Sequence, residues 1–160
     1  MKWIYLFAVF FLITNCTITD KRPDKKPSAV KDNNLSESSI KITIDSIMQS
    51  QIICWNEGDI PCFMEAYWKS DSLMFVGKSG INYGWQKTLD NYLKSYASKD
   101  EMGILHFDNE VMKLIDKTTF QVIGKWHLKR TEVLGDLQGY YSLIWQQKNG
   151  KWVIISDHSS

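Results

Sequence analysis

The chain has 160 residues, 44% of them hydrophobic and 13% aromatic, enough for one packed core. Its 19 Lys and Arg nearly cancel 18 Asp and Glu, which excludes the basic footprint of a nucleic-acid binder. Seven Trp stand out for this length; indoles with large faces and one polar handle either line an aromatic cavity or fill an ordinary core.

The N-terminal stretch MKWIYLFAVFFLITNC carries Lys2, an apolar run and then Cys16. The run is too short for a transmembrane helix and fits a secretory signal over residues 1–15. Leu12-Ile13-Thr14-Asn15-Cys16 resembles a bacterial lipobox, with Asn15 departing from the usual small residue. That resemblance implies cleavage before Cys16 and its lipidation. The expected location is a bacterial cell envelope, membrane-anchored through lipid only. Residues 16–34 are polar, hold two prolines and lack hydrophobic periodicity, the composition of a flexible tether. The globular domain is expected over 35–160.

Ile40, Ile44, Ile47, Met48, Ile52 and Trp55 share one helical face, with Ser36 or Ser38 as cap and Gly58 as stop. Asp59 can cap a second helix that tolerates Pro61 in its first turn and buries Ile60, Phe63, Met64 and Tyr67. Cys54 and Cys62 are compatible with a disulfide in an exported protein and equally with two buried thiols. A short strand is expected at 72–76 and a glycine-rich loop at 77–84. Trp85, Leu89, Tyr92, Leu93 and Tyr96 then mark a third helix. Extended segments follow at 103–115, 119–130, 139–147 and 151–157, the last two joined by Lys148-Asn149-Gly150, a strong hairpin signal. Helices first and an antiparallel meander after them make an α+β domain, its curved sheet wrapped around the helices as a cone.

Strand alternation assigns Val122, Gly124, Trp126, Leu128 and Arg130 to the inner face, with Gly139, Tyr141, Leu143 and Trp145 beside them. On the last strand the same rule turns Trp152, Ile154, Ser156, His158 and Ser160 inward and Asp157 outward, unless the strand twists or bulges. An aromatic pocket is thus expected from Trp55, Tyr67, Trp126 and Trp145, with Arg130 and His158 as polar contacts. Asp71 or Tyr67 is the expected partner of His158 for proton transfer. A histidine that merely ties the last strand to a helix is the plainer alternative.

The order of elements, the Trp55-Asn56-Glu57-Gly58-Asp59 junction and Gly124-Lys125-Trp126 resemble the nuclear-transport-factor-2-like superfamily. Gly150-Lys151-Trp152-Val153-Ile154 with the ending Asp157-His158-Ser159-Ser160 looks like its SnoaL-like branch. The resemblance implies a cone-shaped α+β barrel, a deep pocket and frequent homodimers through the sheet. It implies no particular reaction. Metal and cofactor sites are not expected, because His106, His127 and His158 do not fall at ligand spacing. GKSGINYG lacks the lysine-serine ending and the strand-to-helix setting of a phosphate loop. Two functions lead: binding of a small, partly apolar ligand or an assembly role without catalysis, or an isomerase- or dehydratase-type enzyme using His158 and Asp71. A sheet that mainly makes a dimer, with a vestigial pocket, stays open as a third.

Overall fold

A computed structural model describes residues 36–160; the signal-type segment, Cys16 and the tether expectation at 16–34 lie outside the described residues. Helix α1 (Glu37–Glu57) starts where the Ser36 hydroxyl accepts the Ser39 N–H and stops at Gly58, whose φ of 89° ends it in the left-handed region. Its inner face buries Ile40, Ile44, Met48, Gln51, Cys54 and Trp55. Asp59 caps the one-turn α2 (Ile60–Phe63) through the Cys62 N–H, and a 3₁₀ turn (Met64–Ala66) delivers Tyr67. Cys54 and Cys62 are joined by a disulfide with a Cα–Cα distance of 5.5 Å.

Strand β1 (Met74–Gly77) turns directly into β2 (Gly80–Tyr83). The glycine-rich segment expected as loop is therefore a β-hairpin, closed by the Gly77–Gly80 pair. Helix α3 (Trp85–Ser95) follows, then a single-turn α4 (Lys99–Met102) fixed by a reciprocal Ser98–Glu101 capping box. Four long strands complete the chain: β3 (Ile104–Asp116), β4 (Thr119–Lys129), β5 (Leu137–Lys148) and β6 (Lys151–Ser159). The sheet order is β2-β1-β6-β5-β4-β3, antiparallel except where β1 runs parallel to β6. The sheet is open, with β2 and β3 at its edges.

Helices and sheet are stitched by side chains that reach across the core. Asn56 pairs with the backbone of Leu105 in both directions, so the end of α1 behaves as a partner of the first residues of β3. The Trp55 indole donates to the Met102 carbonyl and the Trp85 indole to that of Met64. Gly124 marks a close approach: a Cβ there would run into the Asp108 carbonyl and the Tyr141 hydroxyl. Between β5 and β6, Asn149 and Gly150 both take positive φ, 51° and 79°, the backbone a tight hairpin needs.

The faces of β4 and β5 follow the alternation: Phe120, Val122, Leu128, Tyr141, Leu143 and Trp145 are buried. On β6 the alternation breaks. Trp145 pairs with Ile154 and the preceding Ile144 with Ser156, so Ile155 is an extra residue, a β-bulge. Beyond it the faces exchange. His158, expected inside, is exposed, and Asp157, expected outside, is buried at 2% exposure.

Candidate functional site

The bulge carries the one buried acidic group among the described residues onto the concave side of the sheet. The Tyr67 hydroxyl donates to Asp157 Oδ2 at 2.7 Å and the Ser159 hydroxyl to Oδ1 at 2.7 Å. Tyr67 is held in place by its bridge to Ile154 and by the bond from the Trp68 N–H to the Ile154 carbonyl, 2.9 Å. Ser159 lies two residues beyond Asp157 and so shares its face.

Aromatic rings surround this pair. Phe63 stands 5.9 Å from Tyr67 and 5.5 Å from Tyr92, and Phe75 is 5.7 Å from Tyr92, all between ring centroids. Trp55 meets Phe63 at 5.1 Å and Tyr96 at 4.9 Å, edge to face. Tyr92 and Tyr96 stack at 6.1 Å, one turn apart on α3.

Burial dominates the electrostatics. It pushes the Asp157 carboxyl up to about 6, against the hydrogen bonds from Ser159 and Tyr67 and the nearby His158, which favour the ionised form. Burial, and then the Asp157 charge, hold the Tyr67 and Tyr92 phenols well above their ordinary value. Tyr96 is raised by burial as well, with the Arg130 charge opposing. A carboxyl of this kind exchanges its proton near neutrality and offers a strong acceptor to a polar group brought among the rings.

The structure distributes the expected site residues unevenly. Tyr67 belongs to the Asp157 cluster. Trp55 and Trp145 are core, and Trp126 is partly buried beside Gly139. The Arg130 guanidinium donates to the Gly135 and Leu134 carbonyls at 2.7 and 3.0 Å, bracing the loop before β5. Asp71 and His158 are both exposed and make no hydrogen bond to each other, so the expected proton-transfer pair is not assembled. His158 instead occupies the outer face, opposite Ser142. His127 also faces outward, bonded to Asp136 at 2.9 Å and stacked on His106 at 6.4 Å. No group of three His, Cys, Asp or Glu among the described residues is arranged to hold a metal.

Asp157, Ser159, Tyr92 and Phe75 were not expected at the site. The signal for the first two was the apolar run at 152–155, which carries no period of two and leaves the facing beyond it undetermined. A cavity of about 240 Å³ opens on the outer side of the cluster, lined by Ile60, Leu93, Tyr96 and Met102 among others. Tyr96 is the one ring of the cluster that lines this cavity; Asp157, Tyr67 and Tyr92 do not.

The sequence matches no family model and no curated protein. Solved structures do match. The chain is 31% identical to an NTF-2 like protein of unknown function from Shewanella oneidensis MR-1, with a TM-score of 0.72 over 76% of this chain and 98% of that one. An NTF2-like superfamily protein from Salmonella enterica serovar Typhimurium gives 16% identity and a TM-score of 0.62, over 77% of this chain and 91% of that one. An NTF2-like protein of unknown function from Pseudomonas putida KT2440 gives 12% identity and 0.62, over 77% and 87%. These last two are alike in fold alone.

Proposed function

Because the chain belongs to the nuclear-transport-factor-2-like superfamily, we propose that it is a binding domain, taking a small, partly apolar ligand against the concave ring cluster. The observation that carries this reading is the buried Asp157–Tyr67–Ser159 network, a polar anchor enclosed by aromatic rings. A ligand entering beside Tyr96 would stack on Tyr92 and Tyr96 and place one hydrogen-bonding group on Asp157.

Native mass spectrometry of the purified domain, combined with thermal-shift screening of small hydroxylated and aromatic compounds, tests the reading. Bound compounds should raise Tm in the parent and lose most of that effect in folded Asp157→Asn and Tyr96→Ala variants. Equal shifts in parent and variants would sink it.

Acid–base catalysis of isomerase or dehydratase type is the second reading, favoured by the raised Asp157 carboxyl rather than by His158 and Asp71. Turnover that survives Asp157→Asn would remove it.

The proposal extends to placement in the SnoaL-like branch, on residues 150–154 and 157–160, and to export with a lipid on Cys16. The Cys54–Cys62 disulfide supports an oxidising compartment. Intact mass from the native host checks the lipid, and an unmodified Cys16 would refute it. A homodimer through the outer sheet face is supported by the exposed Tyr140, with sedimentation equilibrium as its check.

A further inference from the structure

The chain enters the described fold at Ser36, the cap of α1. In the first turn of that helix the Glu37 carboxylate accepts the Leu114 N–H at 3.3 Å, so the entry lies beside the last residues of β3. The β3–β4 turn follows at once. The Gln147 N–H donates to the Thr118 carbonyl at 2.8 Å, which sets the β5–β6 turn against it. The start of α1 and these two hairpin turns therefore form one end of the domain.

Charge is shared unevenly between this end and the rest. Lys41, Lys113, Lys117, Lys148 and Lys151 belong to it, and all but the half-buried Lys148 are exposed. The acidic groups here are Glu37, Glu65 and Asp116; Glu65 lines an opening shared with Lys151, and Asp116 accepts from the Thr118 N–H and hydroxyl. Residues 36–160 hold 13 Lys and Arg and 15 Asp and Glu, so this end has five against three and the remainder eight against twelve. Two apolar groups accompany the lysines. Ile115, 52% exposed, stands just before the β3–β4 turn, and the half-buried Trp68 lies under the Lys148 ammonium, 4.6 Å from its ring centroid. A net negative domain with a positive end is oriented by a negative surface that comes within a Debye length, about 10 Å. A flat surface meets that end alone, whereas a polyanion that wraps the domain also meets its negative remainder.

We propose that this end is a docking surface for an anionic phospholipid bilayer, its ammonium groups among the headgroup phosphates and Ile115 at the interface. The inference deepens the lipid-anchored reading and rests on it, because a tether from Cys16 joins the domain at Ser36, within this surface. Gly58 and Met102, which line the opening beside Tyr96, lie past the far end of α1 and just before β3. Docking through the turns thus leaves that opening turned away from the bilayer.

The test uses the unlipidated chain from Thr17 to Ser160, which keeps every described residue. Co-sedimentation measures its partition onto vesicles of mixed phosphatidylglycerol and phosphatidylcholine, with vesicles of phosphatidylcholine alone as the reference. Binding should require the anionic lipid and fall as salt rises. Each lysine at such a surface contributes about fivefold, so Lys113→Gln/Lys117→Gln/Lys151→Gln should bind about a hundredfold more weakly. The same change at Lys78, Lys94 and Lys129, exposed and away from this end, should stay within about fivefold of the parent. Absence of binding to anionic vesicles overturns the proposal, as does parent-like binding by the first variant or equal weakening in both. Equal binding of a DNA duplex at matched phosphate also overturns it, since the end would then serve any polyanion. Lipid on Cys16 is read separately by intact mass, so a lost anchor and a lost surface give different results.

Discussion

Asp157 concentrates the chemistry of the domain in one carboxyl. In the unfolded chain it titrates near 3.8; in the fold, burial lifts it to about 6. Between those values the folded state holds the proton more tightly than the unfolded state does. This residue's contribution to stability is therefore most favourable at acid pH and is lost as pH rises from about 4 through about 6. The change is on the order of 3 kcal/mol for a shift of this size. Asp157→Asn keeps an oxygen for the Tyr67 hydroxyl but cannot ionise. Urea unfolding at pH 4, 5, 6 and 7 should show the parent losing stability relative to the variant across that interval. Parallel curves for the two proteins would mean that Asp157 does not bear the buried charge. The phenols of Tyr67 and Tyr92 are held high first by their own burial, and the Asp157 charge adds to this, since a negative charge beside a buried hydroxyl makes ionisation dearer still.

At the scale of elements, the single extra residue in β6 decides which imidazole or carboxyl enters the concave side. Ile154 and Ile155 together oppose Trp145, and everything after them changes face. Deleting Ile155 should give a regular ladder with Ile154 and Asp157 still inward, hence a folded protein that retains the raised Asp157 carboxyl by ¹³C NMR titration. If β6 had no bulge, the same deletion would drive the faces apart and unfold the chain. This also marks how far the sequence could be read. Strands β4 and β5 were legible because each buries one face and leaves the other wet, so apolar and polar residues alternate. Helices α1 and α3 were legible from their apolar stripes and from Gly58. The β1–β2 hairpin was not: with Gly77, Gly80 and Gly84 around an exposed Ile81 and Tyr83, its composition is that of a loop. Nor was the site, because Trp152, Val153, Ile154 and Ile155 are all apolar and a bulge among them leaves no trace in the pattern.

Across the whole molecule, the helices and the sheet are joined by a few long-range ties, and the covalent one lies within the helical layer. The Cys54–Cys62 bridge closes eight residues of chain and fixes the corner between α1 and α2. That corner is already set by backbone bonds: the Gly58 N–H reaches the Trp55 carbonyl and the Asp59 N–H that of Cys54, each at 2.8 Å. The bridge therefore acts mainly on the unfolded chain, by forbidding the open conformations of this loop. For a loop of this length the chain-entropy argument gives about 2.5 kcal/mol. A Cys54→Ala/Cys62→Ala protein should accordingly fold to the same structure, with the Trp55 and Tyr67 environments intact, yet unfold at lower urea concentration by that margin. Its m-value should rise, since the freed denatured chain exposes more surface. A drop in stability with an unchanged m-value, accompanied by altered near-ultraviolet circular dichroism, would instead place the effect in native packing around Trp55 and Phe63. No drop at all would overturn the chain-entropy argument, since the caps at Gly58 and Asp59 set the native corner in both proteins.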